Sequence, residues 1–286
     1  MLLYHYCTPA TMHAVLSTQT IRLSSLTQSN DYMEGKLVAA AVGRLGLADG
    51  LSSEEVQRIQ RDVEELERVY GGLGFCLSRE GDLLSQWRGY ASDGAGVAIG
   101  FSNGFLESIA RHSLAAEGSA IALAEVKYKA SEHDDLVRPI YQEVKSRLQS
   151  SEWRETSQSR MAEVIRNRTP EERQKALFEA NMNISIAALS FLEYLFLLKT
   201  EGFAEEREWR LVTRHVDRQL DITGYRATAD QLIPYRECKF HRFDTEDIPQ
   251  IVLGPKHKTP VAVIENFLRS VGLSDTEVIR SSTSYR

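Results

Sequence analysis

The chain has 286 residues, of which 42% are hydrophobic and 26% are charged, and its formal net charge is −6. This composition is typical of a globular protein and is sufficient for one large domain with its own core. The acidic balance disfavours a broad nucleic-acid-binding face, because neutralising phosphates requires clustered lysines and arginines.

The cysteines and the chain start indicate the compartment. Cys7, Cys76 and Cys238 are far apart and contain no C-x-x-C pair, which disfavours a disulfide framework or a structural zinc site. The opening MLLYHYCTP has no basic leader followed by a long apolar run, so it predicts no signal peptide. The apolar stretch 184–198 is shorter than a membrane span and contains Glu193, so it predicts a core helix. We therefore expect a cytoplasmic protein without a membrane segment.

In the first half of the chain, strands and helices follow one another with polar turns between them. The predicted strands are 2–8, 21–25, 75–78, 97–101 and 121–128. Two helices are predicted over 11–18 and 82–91. A third is capped by Ser52 or Ser53 and ended by Gly71, Gly72 and Gly74, and a fourth is capped by Asn103. The stretch TQSNDYMEG, residues 27–35, predicts a polar turn.

The second half begins with a helical block and ends with strands. Three helices are predicted over 134–198, the last opening with a capping box and a proline at Thr169-Pro170-Glu171-Glu172. Four aromatic residues of this block are expected in the core: Phe178, Phe191, Tyr194 and Phe196. Strands are then predicted at 209–213, 232–240, 248–253 and 277–281, with a helix over 260–271. This order is not a regular βα alternation, so we predict an α+β fold, one domain over 1–286 with a helical insertion at 134–200.

Several common chemistries have no support in the sequence. The seven histidines are scattered without a metal-binding spacing, so no metal site is predicted. There is no G-x-S-x-G nucleophile motif and no phosphate-binding glycine motif, and Gly94 and Gly96 predict a tight turn. His5 and Cys7 share one face of a strand, but residues so placed are too far apart to be assumed a base and a nucleophile.

Three separated segments carry a resemblance to a known fold. The first, residues 4–25, has His5 on a strand, then a helix, then Arg22 on a second strand. The second, residues 74–92, has Ser85 followed by Tyr90. The third is EEREWRLV, residues 205–212, with Glu206 and Glu208 ahead of a strand. Together these segments resemble the ADP-ribosyltransferase fold of the poly(ADP-ribose) polymerases and their bacterial relatives.

The resemblance implies an ADP-ribosyltransferase-like split sheet, mixed or antiparallel, and NAD as the substrate. Glu208 would be the catalytic carboxylate that stabilises the oxocarbenium-like state, and Glu206 would position the acceptor. Five other residues would bind NAD: His5 at a ribose, Tyr6 through its backbone, Tyr90 stacked on nicotinamide, Ser85 at the carboxamide, and Arg22 beside them. Tyr6 replaces a family glycine whose backbone pairs with nicotinamide, and Cys7 stands where serine or threonine is usual.

A second resemblance covers nearly the whole chain. Six motifs occur in order: N-D-x-x-E, F-C-x-S, W-x-x-Y with G-V-x-I-G-F, V-x-Y, E-x-E-W-R and I-V-L-G-P. In this order they resemble a widespread bacterial family known only as a domain of unknown function, some of whose members lie beside defence or toxin-like genes. This resemblance implies no reaction.

The residues alone leave a purely structural role open for each of these side chains. His5 could be a strand histidine bonded to a backbone group, and Tyr90 could be a core aromatic like Trp87. Glu208 could pair with Arg210 or Lys199, with Glu206, Glu208 and Arg210 alternating on one strand face. Asn30, Asp31 and Glu34 could form a turn with an Asx cap or line a pocket beside Arg22. The two functions to compare are an NAD-dependent transferase or glycohydrolase, with protein, nucleic acid or a small molecule as acceptor, and a non-catalytic nucleotide-sensing or interaction module.

Overall fold

The computed structural model describes residues 1–28, 31, 33, 35–113, 120–149, 169–216, 222–228 and 230–285. The chain divides into two compact units. The sheet unit consists of Met1–Asn30, Gly71–Val126 and Glu201–Arg286, and the helical unit consists of Asp31–Tyr70 and Lys127–Thr200. The helical unit is therefore built from two chain segments, of which the predicted insertion at 134–200 is one part.

The described strands form one mixed sheet. They are β1 Leu2–Cys7, β2 Thr20–Ser25, β3 Tyr70–Ser78, β4 Val97–Ser102, β5 Ala122–Glu125, β6 Glu208–Val216, β7 Gly224–Ala227, β8 Leu232–Lys239, β9 Gln250–Leu253 and β10 Glu277–Arg280. Their order is β10-β9-β4-β1-β3-β2-β8-β7, and β6 pairs with both β3 and β5. The β9–β10 pair is parallel, whereas β1 is antiparallel to both β3 and β4. The α+β class is confirmed.

One face of the sheet carries the larger core, here called the main core. Side chains alternate along each strand, so that Val97, Ile99 and Phe101 of β4 lie in the main core while Ala98 lies on the other face. Three helices contribute apolar side chains to the main core: α1 Pro9–Thr18, α5 Asn103–Ser113 and α8 Val261–Ser270.

The other face carries a smaller cluster around a short helix, α4, Leu84–Tyr90. Trp87 of α4 is fully buried and packs with Tyr6, Ala98 and Val252 of three neighbouring strands. The ring of Tyr6 meets the indole edge-on, with 4.7 Å between ring centroids. We call this side of the sheet the α4 face.

The helical unit contains α2 Leu37–Ala48, α3 Ser53–Val69, α6 Ala130–Leu148 and α7 Pro170–Ala188. The cap predicted for α3 is Ser52, which exchanges hydrogen bonds with Glu55 in a capping box, and the capping box predicted for α7 is present between Thr169 and Glu172. Gly46 lets α2 approach α3 closely, since a Cβ there would lie 2.7 Å from Val56 Cγ2.

Several sequence predictions were wrong. Helix α2 and strand β7 were not predicted. The apolar stretch 184–198 is not one helix, because α7 ends at Ala188 and a 3-10 turn follows over Leu189–Glu193. The glycines expected to precede the third strand lie inside β3, where Gly74 leaves room for Leu26.

Of the four aromatic residues expected in the core, Phe191 and Phe196 are buried, whereas Phe178 is 64% exposed. The second of the three helices predicted over 134–198 falls largely on residues 150–168, outside the described residues.

Candidate functional site

The corner of the sheet unit where β3 ends, α4 lies and β6 begins brings together most of the polar side chains predicted to act. Ser78 at the end of β3 donates from Oγ to the carbonyl of Glu206 at 2.8 Å. The Arg79 amide donates to the Arg207 carbonyl at 3.0 Å, and the Arg207 guanidinium pairs with Glu80. Arg207 has a φ of 45°, a backbone conformation uncommon for a residue with a side chain. The chain therefore turns sharply between Glu206 and Glu208, and β3 fixes that turn.

Tyr6 anchors the approach to α4. Its hydroxyl donates to the Glu80 carbonyl at 2.8 Å and accepts from the Leu83 amide at 2.9 Å. Burial raises the pKa of Tyr6 above its ordinary value, more than the Leu83 hydrogen bond lowers it. Its side chain is thus a buried support for the loop before α4.

Tyr90 and Glu206 are in direct contact at this corner. The Tyr90 hydroxyl donates to Glu206 Oε1 at 2.8 Å, and the Tyr90 residue is 39% exposed. Ser85, on the same helix, has a buried Oγ with no hydrogen-bond partner. The predicted nicotinamide-stacking ring and one of the two predicted carboxylates are therefore in contact, and the predicted carboxamide-binding serine lies on the same helix as the ring.

Glu208 differs from Glu206 in its secondary structure and in its partners. It is the first residue of β6, whereas Glu206 ends a 3-10 turn, so the expected alternation of Glu206, Glu208 and Arg210 along one strand is wrong at Glu206. Arg210 donates from Nε to Glu208 Oε1 at 2.7 Å and from Nη2 to Glu208 Oε2 at 3.0 Å. Both residues are at least 95% buried. The charge of Glu208 is therefore engaged in a buried two-point ion pair.

His5 lies on the opposite side of the sheet from Glu208. On β1, Leu3 and Cys7 belong to the main core. His5 lies between them and stacks on Phe75 of that core, with 4.1 Å between the ring centroids. On β6, Trp209 and Leu211 pack on the main core, so Glu208 and Arg210 point to the α4 face. The structure does not bring His5 and Glu208 into one cleft.

The surroundings of His5 and Cys7 disfavour acid–base catalysis by the imidazole and nucleophilic catalysis by the thiol. His5 Nδ1 lies 2.9 Å from the Cys76 carbonyl. Burial lowers the pKa of His5 to about 4, more than this hydrogen bond raises it, so the ring is neutral near pH 7. Burial raises the pKa of the Cys7 thiol to about 12, which keeps it protonated.

The remaining predicted residues lie away from the corner or outside the described residues. Arg22 on β2 pairs with Glu237 of β8 at 3.0 Å, and its guanidinium carbon lies 4.4 Å from the centre of the Tyr235 ring. Asp31, in the helical unit, accepts from the Met33 amide at 2.9 Å, as an Asx turn requires. Asn30 and Glu34 lie outside the described residues.

Sequence reasoning missed Asp82, which lies just before α4 and holds the segment after β10. Its carboxylate accepts from Trp87 Nε1 at 2.7 Å, from the amide and hydroxyl of Ser282 at 2.7 and 2.8 Å, and from the hydroxyls of Ser281 and Thr283. Burial raises the pKa of Asp82, but these hydrogen bonds outweigh burial and lower the pKa to about 2. No local pattern identifies such a residue, because most of its partners are about 200 positions away.

At the other end of α4, Asp93 holds the same segment. Tyr285 donates to Asp93 Oδ1 at 2.6 Å, and Lys256 Nζ lies 2.7 Å from Asp93 Oδ2. Ser92, Asp93 and Gly94 all have positive φ, so the turn predicted from Gly94 is present and tightly wound. The segment 281–285 therefore contacts the residues that flank α4 on both sides.

The described parts of the chain contain no group of three or more histidine, cysteine, aspartate or glutamate side chains placed to hold a metal ion. Among the same residues, no helix is both long and apolar enough to cross a membrane.

In the comparisons with known proteins, one family model matches part of the chain. No curated protein and no solved structure matches it. The motifs W-x-x-Y, G-V-x-I-G-F and E-x-E-W-R fall within residues 86–211, together with Tyr90, Glu206 and Glu208. Those residues, 86–211, match the model of a family described as a protein of unknown function, DUF2971.

Proposed function

We propose that this protein cleaves NAD between nicotinamide and ribose, either transferring ADP-ribose to an acceptor or hydrolysing NAD, with the corner around Tyr90 and Glu206 as its site. The observation that carries the proposal is the 2.8 Å hydrogen bond from Tyr90 to Glu206. It joins an accessible aromatic ring to a carboxylate, the two groups that this cleavage needs most.

The proposed roles follow from exposure and charge. The Tyr90 ring is accessible and stacks on nicotinamide, whereas the Ser85 hydroxyl is buried and is assigned no contact with the substrate. Glu206 contacts the ribose hydroxyls and stabilises positive charge as the bond to nicotinamide breaks. Nicotinamide leaves with the bonding electrons, and water or an acceptor nucleophile adds to the ribose carbon and loses a proton.

Glu208 takes a positioning role in this proposal instead of the catalytic role expected from the resemblance. Its carboxylate is buried and both of its oxygens accept hydrogen bonds from Arg210, so contact with a ribose would require breaking that ion pair. The pair instead fixes the first residues of β6, and with them the turn that presents Glu206. His5 and Arg22 have no part in the proposed site, because one lies on the main core face and the other is held by β8.

The proposed setting is the bacterial cytoplasm, where an NAD-consuming enzyme would act as a toxin or an anti-phage defence effector. The three cysteines are unpaired, which fits a reducing compartment. Water, a protein or a nucleic acid are the acceptors to be compared.

A second candidate is a non-catalytic module that binds a nucleotide or a partner protein in a defence or toxin–antitoxin system. It is favoured by one observation: the histidine and the buried glutamate of the expected triad lie on opposite faces of the sheet. A module of this kind would keep the corner as a binding surface without breaking a bond.

One experiment separates the two functions. The purified protein is incubated with NAD, and free nicotinamide and protein-bound intact NAD are quantified in the same samples. The enzyme proposal predicts release of nicotinamide that increases with protein concentration. Bound NAD that stays intact would support the nucleotide-sensing module. Neither binding nor release would contradict both the enzyme and an NAD-sensing module.

A further inference from the structure

Helix α7 of the helical unit presents a row of exposed apolar side chains. Its members are Phe178, Met182, Ile186 and, just after the helix, Leu189, with exposed fractions of 64, 46, 54 and 42%. Residues four apart lie one above the other on a helix, so the first three form one straight row. We call these four residues the α7 ridge.

The rest of the helical unit fixes which side of α7 faces outward. Ala180, Ile184, Ala187 and Ala188 are buried on its inner side. From α3, Arg58 donates to Asn181 Oδ1 at 3.2 Å, and Ser185 donates to Asp62 Oδ1 at 3.2 Å. The outer side of the second half of α7 therefore carries Met182 and Ile186 together with the exposed, uncharged Asn183.

The charge pattern indicates what kind of partner covers the ridge. The thirteen-residue stretch from Ala180 to Leu192 contains no charged residue. A partner recognised by opposite charge would find nothing to pair with there. Two identical copies, in contrast, can meet along this stretch without repulsion between like charges.

We infer that the α7 ridge is a self-association surface, on which the ridge of a second copy packs antiparallel about a two-fold axis through Met182. The spacing is symmetric about that residue, so Phe178 contacts the partner's Ile186, and Ile186 contacts the partner's Phe178. Rows of residues four apart interdigitate in the commonest class of helix packing. Seven positions from Met182 on either side, Leu189 falls beside the aliphatic part of the partner's Lys175.

The size of the ridge sets the strength of the contact. Its four side chains expose roughly 400 Å² per copy, within the range in which an apolar patch on a monomer is often functional. Two copies would bury roughly 800 Å² through the ridge alone, below the roughly 1,200–2,000 Å² of stable specific interfaces. We therefore expect a weak dimer, with a dissociation constant on the order of micromolar or above.

Sedimentation velocity of the full chain, from about 1 to about 200 μM to bracket a micromolar dissociation constant, tests the inference. Met182→Lys brings two ammonium groups together at the axis and should weaken dimerisation by at least about tenfold. The matched control is Leu47→Lys on α2 of the same unit, a residue 69% exposed and outside the ridge. The control should dimerise like the wild type.

A cross-link tests the axis independently of any loss of folding in the lysine variant. Met182→Cys, made with Cys76→Ser to remove an exposed cysteine, should form a disulfide-linked dimer under mild oxidation, because each new thiol meets its own copy. A wild type that stays monomeric throughout would overturn the inference. So would a dimer that Met182→Lys leaves unchanged, or a Met182→Cys variant that does not cross-link.

Discussion

Replacing Glu208 by glutamine leaves the Arg210 guanidinium buried without the carboxylate that now bonds it at two points. Removing one partner of a buried ion pair typically costs about 3–5 kcal/mol. We expect Glu208→Gln to lower the free energy of unfolding by about that amount in urea denaturation. Glu205→Gln, an exposed change three residues earlier, should stay within about 0.5 kcal/mol of the wild type. A fully stable Glu208→Gln variant would contradict the structural role of the pair.

His5 should make stability depend on pH. Its pKa is about 4 in the folded protein and about 6.5 in an unfolded chain, so between these values the unfolded state binds more protons. Its contribution to stability is therefore complete above about pH 6.5 and lost as the pH falls toward 4. We expect His5→Gln to reduce the loss of unfolding free energy between pH 7 and pH 5 by on the order of 1–2 kcal/mol.

The control for this measurement is His241→Gln, because His241 is exposed. It should leave the pH dependence unchanged. If His5→Gln and the wild type lose stability in parallel between pH 7 and pH 5, His5 is not held neutral by its surroundings.

At the residue scale, the sequence could predict that Tyr90 and Glu206 lie close together, because the resemblance assigned both residues to one site. It could not predict that His5 and Glu208 face opposite ways. Which face of β1 joins the main core depends on α1, α5 and α8 packing there, and nothing within β1 itself encodes that choice.

At the element scale, α4 depends on contacts that flank it on both sides. Asp82→Asn weakens the hydrogen bonds that join the start of this helix to residues 281–283. We expect amide hydrogen exchange to accelerate in residues 84–90 and 281–285, with a loss of about 1–3 kcal/mol in unfolding free energy. Because the pKa of Asp82 is lowered to about 2, its contribution should be complete above about pH 4 and lost as the pH falls toward 2.

Asp275→Asn, which changes an exposed carboxylate a few residues before the segment 281–285, is the matched control and should leave exchange in residues 84–90 unchanged. Equal exchange in Asp82→Asn and the wild type would show that Asp82 does not hold α4.

Elements with local signals could be predicted, and those without them could not. Helix α7 begins at a capping box that the sequence shows, and the cap of α3 was narrowed to Ser52 or Ser53, of which the structure has Ser52. Helix α2 begins after Lys36 with no side-chain cap, and its alanine- and glycine-containing run lacks a polar face. Its helical state is set by packing against α3 and α6, which no local pattern records.

At the scale of the whole molecule, the sequence predicted the α+β class and a helical part but not the pairing of strands. β1 lies between β3 and β4, and β6 joins β3 and β5. These pairings join residues far apart in the chain, and register of that kind is fixed only when the whole sheet assembles. The corner around Tyr90 exists because β6 returns to β3 after more than a hundred intervening residues.

The most direct test of the proposed function is the rate of nicotinamide release from NAD by the wild type, Glu206→Gln and Glu205→Gln, measured side by side. The exchange at Glu206 removes one negative charge from the site, and the exchange at Glu205 removes one from its exposed neighbour. We predict that Glu206→Gln is slower by roughly 10²–10³-fold, as expected for the loss of a group that stabilises developing charge, while Glu205→Gln keeps the wild-type rate. Equal rates in all three proteins would contradict the role assigned to Glu206.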